Sequence, residues 1–138
     1  MKIKVKIINT KKEHKMCIAI RRQVFIIEQN ISKQIETDDY LVNATHILAF
    51  SKEKAVGTAR YRRTDSGIKL EWFAVLFRNL GIGKALVLFI LEKLKNEKFI
   101  YLNAQESVIG FYDNLGFDPI GEFFYEAEIP HQKMIYSG

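Results

Sequence analysis

A chain of 138 residues, 48% of them hydrophobic, has the length and apolar content of one compact domain, 1–138. Its single cysteine excludes an internal disulfide and CxxC metal spacing, no stretch nears the ~18 unbroken apolar residues of a membrane span, and the opening Met1-Lys2-Ile3-Lys4-Val5-Lys6 alternates charge with hydrophobe where a signal peptide needs an apolar block. The net charge of +5 is spread among glutamates instead of gathered in a stripe, so it suits a polyphosphorylated ligand as well as a nucleic acid; the expectation is a cytoplasmic protein with no metal and no membrane partner.

Lys4 to Asn9 alternates as a first strand, and Lys12 to Ile27 carries Met16, Ile20, Val24 and Ile27 at helical spacing. Cys17, inside that apolar stretch, reads as a small core residue, because a buried thiol without a neighbouring base is inert. Glu28 to Asn43 has little periodicity and reads as a long loop with room for one helical turn; loops of that length are usually functional or mobile. Thr45 to Phe50, Val56 to Arg62 and Ile68 to Val75 form three strands joined by the polar turns Ser51-Lys52-Glu53-Lys54 and Thr64-Asp65-Ser66-Gly67, an antiparallel meander.

Gly81 to Glu97 is the strongest helix pattern, apolar from Ala85 to Leu91, with Lys93 and Lys95 near the end where cations favour the helix dipole. Phe99 to Asn103 reads as a fifth strand, Ser107 to Leu115 as a short helix closed by Gly116, and Phe117 to Ile120 with His131 to Tyr136 as a final strand pair. The order β-α-β-β-β-α-β-α-β-β implies an α/β fold of the α+β, mixed-sheet kind, because a parallel neighbour needs a crossover of helix length. Helices on both faces make three layers.

The informative segment is Val75-Leu76-Phe77-Arg78-Asn79-Leu80-Gly81-Ile82-Gly83-Lys84, where a hydrophobic strand passes into the long helix. Glycines at one-residue spacing permit a turn that L-residues resist and clear space against bare main chain. The orphan N–H groups of the first helical turn then form a positive nest for phosphate oxygens, and Arg78 and Lys84 add charge at its mouth. A dinucleotide fold wants GxGxxG near the first strand and a nucleotide-triphosphate site wants GxxxxGK[ST]; here RxxGxG follows the fourth strand.

Arg78-x-x-Gly81-x-Gly83 resembles the pyrophosphate signature of the GNAT superfamily of acetyl-CoA-dependent N-acetyltransferases, and Phe111-Tyr112-x-x-x-Gly116-Phe117 resembles its late helix and strand. Further matches resemble the small bacterial ElaA-like branch: Arg21-x-x-Val24-Phe25-x-x-Glu28-Gln29, His46, Val56-Gly57-Thr58-Ala59-Arg60, Asn103-Ala104-Gln105 and Ile129-Pro130-His131. Together they span nearly all of the chain. The loop between Val75 and Arg78 is shorter than the family usually has, and Trp72 and Glu128 stand where arginine and glycine are common.

The resemblance implies a GNAT-like fold that moves an acetyl group from acetyl-CoA to an amine by direct attack in a ternary complex. It implies that Phe73, Ala74 and Val75 offer main-chain bonds to the pantetheine arm, that Arg78, Gly81, Ile82, Gly83 and Lys84 hold the pyrophosphate, and that Asn103 contacts the pantetheine. It also implies that Tyr112 points at the CoA sulfur as the acid; the alternative is a tyrosine that packs with Phe111. The N–H near Val75 is the expected oxyanion donor. Glu71, on the same side of its strand as Phe73 and Val75, is the first candidate base, since a carboxylate among apolar neighbours is harder to ionise; an ion pair with Arg60 or Arg62 explains it equally. His46 and His131 are further candidates, though three scattered histidines make no metal site. The acidic residues Glu28, Glu36, Asp38 and Asp39 would draw a cationic amine, with His46 beside them.

Two rivals stay open: a non-catalytic CoA or acyl-CoA sensor of the same fold, and a small basic nucleic-acid-binding protein, for which no recognition helix or aromatic-basic pattern emerges. The acceptor, a small-molecule or peptide amine, depends on loop shape and has no motif. Phe123, Phe124 and Tyr125 hint at a homodimer.

Overall fold

The computed structural model describes residues 2–28 and 43–138. In chain order it holds β1 (Ile3–Ile7), α1 (Lys11–Arg21) continuing as a π-helical stretch (Arg22–Glu28), β2 (Thr45–Ser51), β3 (Lys54–Thr64) and β4 (Gly67–Val75). Then follow α2 (Ile82–Lys93), β5 (Ile100–Gln105), a 3-10 turn (Glu106–Val108) opening into α3 (Ile109–Asp113), β6 (Phe117–Glu126) and β7 (Ile129–Tyr136). Among the described residues the strands and helices follow the expected order. The loop expected from Glu28 to Asn43 lies almost wholly outside the described residues.

The strands form one mixed sheet in the order β1-β2-β3-β4-β5-β7-β6. β4 and β5 are parallel because α2 lies between them in the chain and returns it to the starting edge. β5/β7 and β6/β7 are antiparallel. Contacts divide the chain into two compact units, Met1–Tyr61 with Trp72–Lys95, and Arg62–Glu71 with Asn96–Gly138.

In the first unit α1 begins at Thr10, whose hydroxyl accepts from the Glu13 N–H at 3.1 Å while the Glu13 carboxylate accepts from the Asn9 N–H at 2.9 Å. This reciprocal cap satisfies donors the helix cannot. One helix was expected through Ile27, but the chain widens to π geometry after Arg21. The wider turn lets Val24 and Phe25, adjacent in sequence, both bury beside Cys17, Ile20, Leu48 and Ala74. Alternation along β2 separates the two faces: Leu48 joins this cluster, while Ala49 pairs with Gly57, which meets α2. Leu86, Val87 and Ile90 of α2 are fully buried, and truncating Leu86 or Ile90 to alanine costs about 2–5 kcal/mol.

In the second unit Ile68–Leu70 of β4 pair with Ile100–Leu102 of β5, and Ile68, Leu70, Ile100, Leu102, Ala104, Phe117 and Met134 are buried. Gly67, with φ 128°, lets the chain pass the Phe99 carbonyl, which a side chain there would approach to 2.5 Å. β6 runs six residues past the expected end at Ile120, because Pro119 sits on the outermost strand and a register shift between Ile120 and Phe124, with Gly121 at φ 74°, absorbs the irregularity. Phe123 and Tyr125 are exposed, whereas Phe124 stacks on the His131 ring at 5.9 Å.

Candidate active site

The turn from β4 into α2 is built by two residues in left-handed backbone. Asn79 has φ 63°, tolerable for asparagine, and Gly81 has φ 79° and ψ 7°. Gly81 takes the N-cap of α2 and its carbonyl accepts from Ala85 N–H at 3.0 Å. Gly81, having no side chain, supplies no side-chain cap of its own. A Cβ added at Gly81 would meet no described residue within 4 Å. Ile82 is buried, Gly83 half-buried, and Arg78 and Lys84 stand exposed on either side. The helix dipole and these two cations make the mouth electropositive. Lys54, the first residue of β3, lies 5.1 Å over the exposed Phe77 ring.

The strand feeding this turn is irregular at Trp72, which has φ 56° and packs edge-on against Phe25 at 5.1 Å. Beyond it Phe73 and Val75 are half-buried and Ala74 is buried in the α1-side core. Leu76 N–H donates to the Val56 carbonyl at 2.9 Å, pinning the first residue after β4 to β3.

In the second unit Asn103 lies half-buried on β5 opposite Lys133 of β7. Tyr112 is buried on α3, edge-on to Phe111 at 5.0 Å and to Phe117 at 5.9 Å. Burial raises its phenol well above the ordinary value. Glu71 is held by two cations: Oε2 accepts from Arg62 Nε at 2.8 Å, and Oε1 lies 3.4 Å from Lys69 Nζ. The ion-pair alternative thus has its partner in Arg62.

His46 is buried on β2, where Nδ1 lies 2.9 Å from a guanidinium nitrogen of the fully buried Arg21. Arginine only donates, so Nδ1 accepts and a neutral ring carries its proton on Nε2. The ring meets His14 edge-on at 4.9 Å and borders an open hollow lined also by Asn9, Thr10 and Lys11. His131 Nδ1 donates to its neighbour Ile129 carbonyl at 2.7 Å, a structural bond. The expected acceptor side chains of Glu28, Asp38 and Asp39 lie outside the described residues. Among the described residues no group of three or more His, Cys, Asp or Glu is placed to hold a metal, and no helix is long and apolar enough to cross a membrane.

Sequence reading gave no role to Gly57, to the buried Arg21 or to the Lys54–Phe77 contact, and named the buried Arg60 only as a partner for Glu71. Of these only Gly57 carried a signal, since glycine inside a strand marks close approach of another chain segment. The arginines sit in periodic surroundings that resemble any helix or strand surface.

A mixed seven-stranded sheet whose fourth strand passes through a glycine turn into a long helix is the mixed α/β fold. The chain belongs to the acetyltransferase (GNAT) domain family, which it matches over residues 10–137. It is 32% identical to the uncharacterized N-acetyltransferase YjcF of Bacillus subtilis (strain 168), with 96% of this chain and 99% of that one covered. It is 30% identical to ElaA of Escherichia coli (strain K12) over 85% of this chain and 82% of that protein. The crystal structure of E. coli ElaA superposes with a TM-score of 0.86, covering 99% of this chain and 100% of that one, at 26% identity. A GNAT family acetyltransferase from Elizabethkingia anophelis, solved with acetyl-CoA bound, shares the fold with a TM-score of 0.66 at 21% identity, covering 96% of this chain and 94% of its own. Acetyl transfer is the chemistry of this family.

Proposed function

We propose that this chain transfers an acetyl group from acetyl-CoA to a primary amine, of a small molecule or a peptide, by direct attack in a ternary complex. The observation that supports this is the start of α2: a left-handed Gly81 with no side chain of its own to cap the first-turn amides, and no described residue within 4 Å of a Cβ placed there. That donor set fits a diphosphate, which asks for several N–H groups and positive charge at one point. The amides of Ile82, Gly83 and Lys84 would hold it with Arg78, the main chain of Phe73, Ala74 and Val75 would hold the pantetheine arm, and Asn103 offers a side-chain amide to the same arm. The E. anophelis relative with acetyl-CoA bound supports the same co-substrate.

When bound, acetyl-CoA supplies an activated thioester carbonyl. The N–H near Val75 stabilises the developing oxyanion. Tyr112, kept neutral by burial, holds a proton at Oη for the departing thiolate. Its contact with Phe111 accounts for its packing but not for a phenol there, since phenylalanine would pack as well. Glu71 takes no step, because its carboxylate is engaged by Arg62 and Lys69, and the proton that the amine gives up passes to solvent. Positioning of two substrates supplies about 7–11 kcal/mol of barrier lowering and a proton donor about 10²–10⁴ in rate, so the cradle matters more than the acid.

Free-thiol release from acetyl-CoA against a panel of peptides, polyamines, aminoglycosides and small amines tests this. Amine-dependent release is expected, falling about 10²-fold in Tyr112→Phe with little change in KM for acetyl-CoA. Tight CoA binding without acetyl loss to any amine would replace the enzyme with a sensor, and no CoA binding would remove both.

A further inference from the structure

Gly57 stands in the interior of β3 between two buried residues, Val56 and Thr58. Its backbone lies outside the left-handed region, so torsion does not demand a glycine there. Space does. A methyl group at Gly57 would come 2.7 Å from Ile82 Cγ2, 3.3 Å from Leu86 Cδ1 and 3.4 Å from the Ala74 carbonyl oxygen. Carbon atoms rest at about 3.5–4.0 Å, so the first of these contacts is nearly an ångström too short. Ile82 is almost completely buried and lies between the two glycines of the turn, so its side chain has little room to swing away.

The residue before Gly57 holds the other end of the same loop, through the 2.9 Å bond from Leu76 N–H to the Val56 carbonyl. The loop from Leu76 to Gly81 therefore rests at both ends on one dipeptide of β3. We infer that Gly57 is a positioning residue for the diphosphate cradle. Its missing side chain sets how deeply Ile82 seats, and through Ile82 the direction in which the amides of Ile82, Gly83 and Lys84 point. This rests on the diphosphate reading of that turn; the geometry of the helix start itself does not.

The test uses the full chain as Gly57→Ala, Ile82→Ala, the double variant, and Gly57→Ala with Ile82→Val. Valine keeps both γ carbons, whereas alanine removes the carbon that the new methyl would strike. CoA affinity is read by calorimetry, kcat and KM for acetyl-CoA by thiol release, and the Gly81, Ile82 and Gly83 amide signals by ¹H–¹⁵N spectra without ligand. A cradle displaced by a large part of an ångström predicts CoA binding at least about tenfold weaker in Gly57→Ala, carried by KM with kcat changed less than about twofold. Ile82→Ala should restore affinity and the amide signals, and Ile82→Val should not. If Gly57→Ala alone does not fold, the double variant decides: native-like CoA affinity supports the inference, and failure to fold overturns it. Native affinity in Gly57→Ala, or loss that Ile82→Ala does not repair, also overturns it. If the native chain does not bind CoA, the proposed function falls. The amide signals then settle Gly57 alone, displaced and restored in its favour, unmoved against it.

Discussion

Gly81 and Gly67 both occupy positive φ, at 79° and 128°, yet alanine at the two sites should behave differently. At Gly81 the added methyl meets no described residue within 4 Å, and torsion opposes it. Left-handed backbone costs an L-residue about 1–2 kcal/mol, and the stiffer unfolded chain returns about 0.4–1 kcal/mol. The net loss is at most about 1.6 kcal/mol, or a Tm lower by up to roughly 6 °C for a chain of this size. At Gly67 the conformation lies outside the left-handed well, and the methyl would approach the Phe99 carbonyl oxygen to 2.5 Å. A carbonyl in a strand-edge hydrogen bond to Ile68 N–H at 2.8 Å cannot retreat cheaply. Gly67→Ala should therefore cost about 3 kcal/mol or more, combining strain with overpacking. Function should separate the same pair in the opposite sense. The Gly81 methyl would sit at the mouth of the proposed diphosphate cradle, so CoA affinity should fall about tenfold or more despite a nearly native melt. Gly67→Ala, where it folds, should keep the affinity. Thermal melts by circular dichroism and CoA calorimetry measure both quantities. Equal destabilisation at the two sites, or unchanged CoA binding in Gly81→Ala, would refute the reasoning.

Glu128 and Ala127 close the β6–β7 hairpin with φ of 64° and 50°, conformations suited to glycine or asparagine. Glu128→Gly should raise stability by about 0.5–1 kcal/mol, seen as a higher Tm in the same melts. The Tyr112 phenol stays protonated in the folded chain after it ionises in the unfolded one, since burial raises its folded value above the ordinary 10.0. Its contribution is full below about pH 10 and is lost as pH climbs beyond it, so urea midpoints should fall more steeply in the native chain than in Tyr112→Phe between about pH 10 and 12. Glu71→Gln removes the pairs with Arg62 and Lys69. It should cost about 1 kcal/mol with kcat within a few-fold of native, whereas a fall of about 10²-fold or more would return the base role to Glu71.

Local pattern was enough to read the order of the elements. The meander, the crossover helix and the RxxGxG turn each declare themselves through period, turn residues and a helix start, all written within a few positions of one another. Family membership was legible for the same reason, because its marks are short runs such as Val56-Gly57-Thr58-Ala59-Arg60. What stayed hidden depends on residues far apart in the chain. The carboxylate of Glu71 read equally as a base or as an ion-pair partner of Arg60 or Arg62, and only the folded strands bring Arg62 and Lys69 to it. β6 looked short because Pro119 and Gly121 break strands, and only its place at the sheet edge makes them harmless. Gly57 and Ile82 are distant in sequence, and their contact exists because α2 folds back over β3. Propensity acts over neighbouring residues, whereas side-chain partners and clearances arise only when the strands are laid side by side.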